Sequence, residues 1–148
     1  MDGKMLDSSE KIAGIAEKLE TLMTNPYPTH HFVAEQDRAA ALAAARQAYA
    51  ARRLRDRLFG ERLFSDPAWD LLLDLFIAHG DKRRVSVKSA CIASSVPQTT
   101  ALRYIAHLVE RGLVQRAAHP ADARIKFLEL TDRAVAQMTN YFTLTKES

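Results

Sequence analysis

Two short helices separated by a proline turn constrain the fold of this chain more than any other feature. Ser86 can cap a helix from Val87 to about Ser94, because its hydroxyl can accept a hydrogen bond from an unpaired amide of the first turn. Pro97 is well placed to begin a second helix, and Gly112 is the glycine expected just after a helix C-terminus. A short helix, a tight turn and a second helix predict a helix-turn-helix.

A β-hairpin is predicted directly after this motif. Residues 113–118 and 125–130 are interpreted as two strands, and the polar turn between them is His119-Pro120-Ala121-Asp122-Ala123-Arg124. Arg84-Val85 is at most a minimal strand, Ser65 is expected to cap a preceding helix, and Thr131 is expected to cap a last one. The order helix, strand, helix, helix, hairpin predicts a mainly α fold with a small β-hairpin wing. Residues 65–148 are therefore assigned to a winged helix-turn-helix domain.

Residues 1–64 are predicted to form a separate region of N-terminal dimerisation helices. Asp7-Ser8-Ser9-Glu10 is typical of a capping box, and apolar residues recur at helical spacing from Ile12 to Met23. A longer helix is predicted from about Ala34 to Phe59, and ten of the eighteen residues from Ala34 to Ala51 are alanine. Because this helix would be roughly 39 Å long and its alanine stripe is shallow, we expect it to pack on another chain.

Two sets of charged side chains on these helices have simple interpretations. The second half of the long helix is rich in arginine, which adds phosphate contacts or, more simply, keeps an alanine-rich helix soluble: Arg46, Arg52, Arg53, Arg55 and Arg57. On the next helix, Asp66, Asp70 and Asp74 recur every four residues, opposite a wide apolar face that includes Trp69 and Phe76. An acidic triplet can bind a divalent cation, but on one helix face we expect a solvent-exposed acidic surface.

Positive charge is concentrated between residues 82 and 126. Nine Lys and Arg residues there are opposed only by Glu110 and Asp122, which gives a net charge of +7 in a chain whose total is +3. A concentrated basic patch suits a polyanion-binding surface, because neutralising phosphates releases counterions. The alternative is a basic face that is only solvated.

The helix from Gln98 to Arg111 has the composition of a helix that reads DNA. Its first ten residues contain no acid, whereas an ordinary surface helix would expose more Glu and Lys. Gln can pair with adenine, Arg with guanine, and a threonine methyl can contact the thymine methyl in the major groove. In the hairpin, Arg124 could enter the minor groove while Asp122 holds its guanidinium group. The predicted DNA-binding residues are Ser86, Lys88, Gln98, Thr99, Thr100, Arg103, Tyr104, His107, Arg116, Asp122, Arg124 and Lys126.

The segment from Ser86 to Asp132 resembles the winged-helix core of the MarR family of transcriptional regulators. The resemblance rests on Thr99-Thr100, on residues 108–116, on the wing residues 119–124 and on Leu130-Thr131. It implies a homodimeric, cytoplasmic regulator that binds a pseudo-palindromic operator in double-stranded DNA, with Arg124 as the wing arginine. It also makes a small-molecule effector a candidate partner. His119 stands where the family usually has an aspartate.

Other classes of function have weaker support. Five histidines and the single cysteine, Cys91, show no metal-ligand spacing, and the sequence lacks a phosphate-binding glycine loop, a nucleophile elbow and an HExxH motif. We therefore predict no enzyme, no metal site and no cofactor. Cys91 lies on the apolar side of its helix, which predicts burial and low reactivity. Tyr49, Trp69, Tyr104 and Tyr141 could line a pocket, but at helical spacing they are more often core or interface residues.

A membrane partner and a protein partner are the remaining alternatives. No apolar stretch approaches the ~20 residues that span a bilayer, and mostly alanines stand opposite the arginines of the long helix, so a membrane partner is not expected. A winged helix can also serve as a protein–protein interaction module without specific DNA binding. That class predicts an apolar or acidic surface on the second helix, which this sequence does not have.

Overall fold

The computed structural model describes residues 11–17, 19–20 and 35–146. The first two stretches are helical, whereas the predicted capping box at residues 7–10 and the proline turn at residues 25–28 lie outside the described residues. The other elements are α1 (Glu35–Phe59), α2 (Pro67–Gly80), β1 (Val85–Ser86), α3 (Val87–Ala93), α4 (Gln98–Glu110), β2 (Val114–Ala118), β3 (Lys126–Leu130) and α5 (Asp132–Lys146). This order confirms the predicted helix-turn-helix followed by a hairpin.

The three strands form one small antiparallel sheet in the order β1-β3-β2. Val85 pairs with Leu128, and the β2–β3 ladder runs from Val114 opposite Leu130 to Ala118 opposite Lys126. β3 begins one residue later than predicted, but the amide of His119 still donates to the carbonyl of Ile125 at 3.1 Å. The hairpin formed by β2, the polar turn and β3, which we call the wing, therefore continues beyond the last pair of the ladder.

Helix α2 lies at the centre of the core and contacts α1, α3, α4 and β3. Leu71 and Leu73 have no exposed surface, and Leu75, Phe76 and Ala78 are also buried. The buried surface of α2 is wider than the predicted apolar face, because neighbouring elements cover this helix on nearly every side. A helix that is apolar almost all round is typical of such a position.

Side chains close the helices as the sequence predicts, with one exception. The hydroxyl of Ser86 accepts a hydrogen bond from the amide of Ser89 at 3.1 Å, which confirms this cap. The predicted Ser65 cap of α2 is wrong, because the carboxylate of Asp66 accepts from the amide of Trp69 at 3.3 Å instead. The helix therefore begins at the following proline, whose missing amide costs nothing at this position.

The end of α4 is tied to the start of α5. Gly112 has a φ of +70°, and this left-handed conformation lets the amide of Leu113 donate to the carbonyl of Leu108 at 3.0 Å. The hydroxyl of Thr131 donates to the carbonyl of Gly112 at 2.8 Å and accepts from the amide of Ala134 at 3.2 Å. One threonine thus fixes where α4 ends and where α5 begins.

Helix α1 packs on its own chain, against α2 and α5. Ala41 and Ala45 are buried there, since small side chains allow close approach. The stripe that was expected to pack on another chain is a different one: of its alanines, Ala44 packs against the core, whereas Ala43 and Ala51 stay exposed. Leu54, Leu58 and Phe59, toward the end of the helix, stay exposed.

The predicted solvent-exposed acidic face of α2 is wrong for two of its three members. Asp70 is 1% exposed, and its carboxylate oxygens lie 2.6 Å from Nε of Arg52 and 2.9 Å from Nη2 of Arg53. Asp74 is half-buried and pairs with Arg83 at 3.4 Å. The helical spacing was correct, but it could not show that α1 would bring two arginines onto this face.

Candidate nucleic-acid interface

Helix α4 buries one side and exposes the other. Its buried residues are Ala101, Ile105 and Leu108. Thr99, Arg103 and Ala106 follow one another at helical spacing along the exposed side. Leu102 is 40% exposed because it lies at the edge of the buried side. The exposed side is therefore mostly small or polar and carries one arginine near its middle.

The N-terminus of α4 is open to a ligand. Pro97 has no side-chain acceptor for the amides of the first turn, and this turn contains no acidic residue. Gln98 and Thr99 are exposed, while Thr100 is half-buried. Unpaired amides and the positive end of the helix dipole favour an anion such as a phosphate at this end.

Four exposed basic side chains lie on α4, on α3 and on the two strands of the hairpin. Lys88 of α3, Arg103 of α4, Arg116 of β2 and Lys126 of β3 are all exposed. None of the four forms an ion pair among the residues that the structure describes. The strand register places Arg116 and Lys126 on the same face of the hairpin as Leu128. The sequence-predicted basic stretch therefore contains cations that no carboxylate of the described chain neutralises.

The side chain of Arg124, in the wing, donates two hydrogen bonds to the carboxylate of Asp122. Arg124 Nε donates to Asp122 Oδ1 at 3.1 Å, and its Nη2 donates to Oδ2 at 3.3 Å. The Arg124 amide also donates to Oδ1 at 3.0 Å, while the arginine side chain remains 91% exposed. The side-chain bonds from Arg124, followed by its amide bond, lower the pKa of Asp122. The wing therefore orders its arginine without burying it.

Two residues at the base of the wing are absent from the predicted surface. His119 Nδ1 accepts hydrogen bonds from the amides of Ala121 and Asp122, and its ring lies 5.4 Å from that of Phe127. The guanidinium of Arg84 lies 5.5 Å from the Phe127 ring centroid. The role of His119 could have been predicted from the sequence, because the amides of the polar turn that follows it need a hydrogen-bond acceptor. Arg84 reaches this place only because β1 pairs with β3.

The remaining predicted residues differ in exposure and in the bonds they already make. Tyr104 is 37% exposed and His107 is exposed, both on α4. Ser86 and Asp122 are half-buried, and both already act as hydrogen-bond acceptors within the chain. The predicted site residues from α3, α4 and the hairpin are thus mostly accessible.

The cysteine and the aromatic residues belong to the packing of the chain. Cys91 is buried as predicted, and this burial raises the pKa of its thiol. Trp69 packs edge-on against Tyr141 with centroids 4.8 Å apart. Tyr49 is half-buried on α1, and Tyr104 on α4 is 37% exposed. Among the described helices, none is long and apolar enough to cross a membrane, and no group of three or more potential metal ligands occurs there.

A sequence family described as a winged helix DNA-binding domain matches residues 69–134. The match begins in α2 and ends in the first turn of α5, so it includes the helix-turn-helix and the wing. Residues 69–134 are therefore similar in sequence to a winged helix DNA-binding domain. Comparison of the sequence with curated proteins gives no match.

Solved structures are similar to this chain at low sequence identity. The MepR–DNA complex of S. aureus has a TM-score of 0.50 and 15% identity, over 72% of this chain and 80% of that chain. A probable transcriptional regulator from Pseudomonas aeruginosa has a TM-score of 0.46 and 24% identity, over 72% and 74%. The heme sensor protein PefR, in complex with heme and carbon monoxide, has a TM-score of 0.48 and 17% identity, over 72% of this chain. This chain spans 64% of that PefR structure, slightly less than two thirds.

The match of residues 69–134 and the fold shared with MepR agree with the winged helix-turn-helix that the sequence predicts.

Proposed function

We propose that this chain is a sequence-specific, DNA-binding transcriptional regulator that acts as a homodimer in the cytoplasm. In this proposal α4 lies in the major groove and Arg124 enters the adjacent minor groove. One observation carries it: the uncapped, acid-free N-terminal half of α4 lies in one domain with an exposed arginine that a carboxylate orients. A structure of similar fold, S. aureus MepR at a TM-score of 0.50, was solved in complex with DNA.

The side chains of α4 suit base and backbone contacts. Gln98 and Thr99 are exposed on the first turn, and Arg103 follows one turn later on the exposed side. Recognition helices contact base edges from their N-terminal residues, so we assign these three to base readout. Phosphate contacts, which position the protein, are assigned to the other predicted residues of this surface: Ser86, Lys88, Thr100, Tyr104, His107, Arg116 and Lys126.

The wing suits the minor groove. A narrow minor groove concentrates negative potential and attracts an inserted arginine. Arg124 is 91% exposed, yet Asp122 restricts its guanidinium group, so less conformational entropy is lost when it binds.

A homodimer would place two α4 helices in successive major grooves, roughly 34 Å apart as one turn of DNA requires. Leu58 and Phe59, at the end of α1, are 69% and 65% exposed. We assign these apolar side chains to the dimer interface, because Ala41 and Ala45, earlier in α1, are already packed within the chain. A small-molecule effector stays a candidate partner in this proposal, as the resemblance to the MarR family implies.

The test is a fluorescence anisotropy titration with the intergenic duplex upstream of the protein's own coding sequence and with a scrambled duplex, at two salt concentrations. We expect tighter binding to the natural duplex and weaker binding at the higher salt concentration, because phosphate contacts release counterions. Arg124→Ala should weaken binding about fivefold to tenfold without lowering the melting temperature. Analytical ultracentrifugation of the same sample should give the mass of a dimer.

Two results would contradict the proposal. Equal, weak binding to both duplexes would favour a winged helix whose partner is another protein. Unchanged affinity of the Arg124→Ala variant would remove the wing from the mechanism.

A further inference from the structure

The wing turn is built around one imidazole nitrogen. Nδ1 of His119 accepts a hydrogen bond from the amide of Ala121 at 2.9 Å and from the amide of Asp122 at 3.2 Å. Accepting these bonds requires a lone pair on Nδ1. The ring is half-buried and lies against Phe127 on the same face of the hairpin.

This turn leads directly to the wing arginine. The bond from the Asp122 amide to His119 holds the backbone at residue 122, and the Asp122 carboxylate accepts three hydrogen bonds from Arg124. His119, Asp122 and Arg124 therefore form one continuous chain of hydrogen bonds. The placement of the arginine depends on a histidine that lies five residues before it.

An acceptor of this kind need not titrate near neutral pH. An aspartate or asparagine side chain accepts hydrogen bonds from amides two and three residues further along the chain in the same way. A histidine does so only while it is neutral, and histidine is the side chain that ordinarily changes charge between pH 5 and 8. If Nδ1 carried a proton, its N–H group would face the amides of Ala121 and Asp122, which are donors too. Both hydrogen bonds of the turn would then break.

We propose that His119 is a positioning residue for Arg124, and that protonation of its imidazole releases the wing and weakens DNA binding. The DNA part of this inference rests on the proposed function. The charged groups that face the ring are Asp122 and Arg124 of the turn and Arg84, whose guanidinium lies near the same Phe127 ring, whereas the strand register places Lys126 on the opposite face of the hairpin. Asp122 is already engaged by Arg124.

The sign of the pH effect separates positioning from simple charge. A protonated imidazole adds a positive charge to a basic surface, which by itself would strengthen binding to phosphates. The positioning role predicts the opposite, a loss of affinity on acidification. The two mechanisms therefore cannot give the same result.

The experiment compares wild type with His119→Asn and His119→Leu, after circular dichroism has shown that all three proteins are folded. Asn supplies a neutral acceptor that does not titrate, and Leu fills a similar volume without an acceptor. Affinity for the natural duplex is measured at constant ionic strength between about pH 5.5 and pH 8. His79 and His107 are present in all three proteins, so the affinity ratio of wild type to the Asn variant cancels their titration.

At the alkaline end we expect His119→Asn to bind like wild type and His119→Leu to bind about tenfold more weakly, which is the scale of one or two lost hydrogen bonds. On acidification, wild type should lose affinity severalfold relative to His119→Asn. Wild-type affinity of the Leu variant at the alkaline end would overturn the positioning role. A gain of wild type over the Asn variant at the acidic end would overturn the pH effect.

A second readout needs no DNA. The amide resonances of Ala121 and Asp122 in the free protein should shift with pH in wild type but not in His119→Asn. If they shift and no duplex binds, the proposed function fails while the histidine cap stands. If they do not shift, the inference fails whether or not the protein binds DNA.

Discussion

The arginines of α1 and those around α4 and the wing have opposite roles. On α1, Arg46 pairs with Asp81, Arg52 and Arg53 pair with the buried Asp70, and Arg55 donates to the carbonyl of Phe64 at 3.0 Å. These four arginines therefore make their contacts within the chain. They hold α1 on α2 and on the loops beside it.

The arginines of the candidate interface are not used in this way. Arg103 and Arg116 are exposed and have no carboxylate partner among the residues that the structure describes. Arg124 has one, but it is two residues away and leaves the guanidinium group accessible. The number of arginines in a stretch therefore does not locate a binding surface. What matters is whether folding brings a carboxylate to them.

The largest expected effect comes from removing the carboxylate that pairs with the arginines of α1. Asp70→Asn should destabilise the protein by about 3–5 kcal/mol, because it leaves the largely buried Arg52 without its charge partner and leaves Arg53 with Asp56 alone. The free energy of unfolding from urea titration measures this effect. Glu61→Gln, an exposed acid in the loop after α1, is the matched control and should change stability little. A loss below about 1 kcal/mol, the typical worth of a surface ion pair, would show that Asp70 does not anchor α1.

An intermediate effect, on DNA affinity, compares an arginine of the candidate interface with an arginine of α1. Arg103→Ala should weaken binding to the natural duplex about tenfold, because a base or phosphate contact is lost, and should leave the melting temperature unchanged. Arg46→Ala removes the same charge from α1 and should change affinity less than about twofold. Both are measured by anisotropy and thermal unfolding. Equal losses of affinity would mean that total charge, not position, determines binding.

If Arg103 reads a base, its substitution should also reduce the preference for the natural over the scrambled duplex. If it holds a phosphate, both duplexes should lose affinity by the same factor. The same titrations distinguish these outcomes.

The smallest expected effect concerns Asp74, a half-buried acid of α2. Burial raises its pKa, the ion pair with Arg83 opposes the shift only in part, and its Oδ2 atom is buried without a hydrogen-bond partner among the described residues. A raised pKa means that the folded state binds the proton more tightly than the unfolded state. Stability therefore falls as pH rises from 3.8, the ordinary value, through the folded-state pKa.

Asp74→Asn should remove this penalty, so its melting temperature should be slightly higher than that of wild type at pH 7. The difference should vanish at a pH below the ordinary pKa of aspartate, where both states of the wild type are protonated. Asp37→Asn, an exposed substitution in the first turn of α1, controls for the loss of one negative charge. A lower melting temperature at pH 7 would mean that the pair with Arg83 outweighs the burial of Asp74.

Much of the fold could be predicted because its signals are local. A glycine after α4, a cap at Ser86 and the polar turn of the wing each act on backbone groups within a few residues. Asp122 and Arg124 also lie two residues apart, so their hydrogen bonds could be foreseen. The exposure of Thr99 and Arg103 follows from helical periodicity once the buried side of α4 is known.

The sequence by itself thus determined the winged helix-turn-helix, the hairpin with its oriented arginine and the acid-free helix beside it. Only the tertiary structure decided that Asp70 is a buried anchor, that the alanines of α1 pack on their own chain, and that Arg84 reaches the base of the wing. The reason is the range of the interactions. Capping and periodicity act between residues close in sequence, whereas burial and ion pairing depend on which helix or strand folds against which.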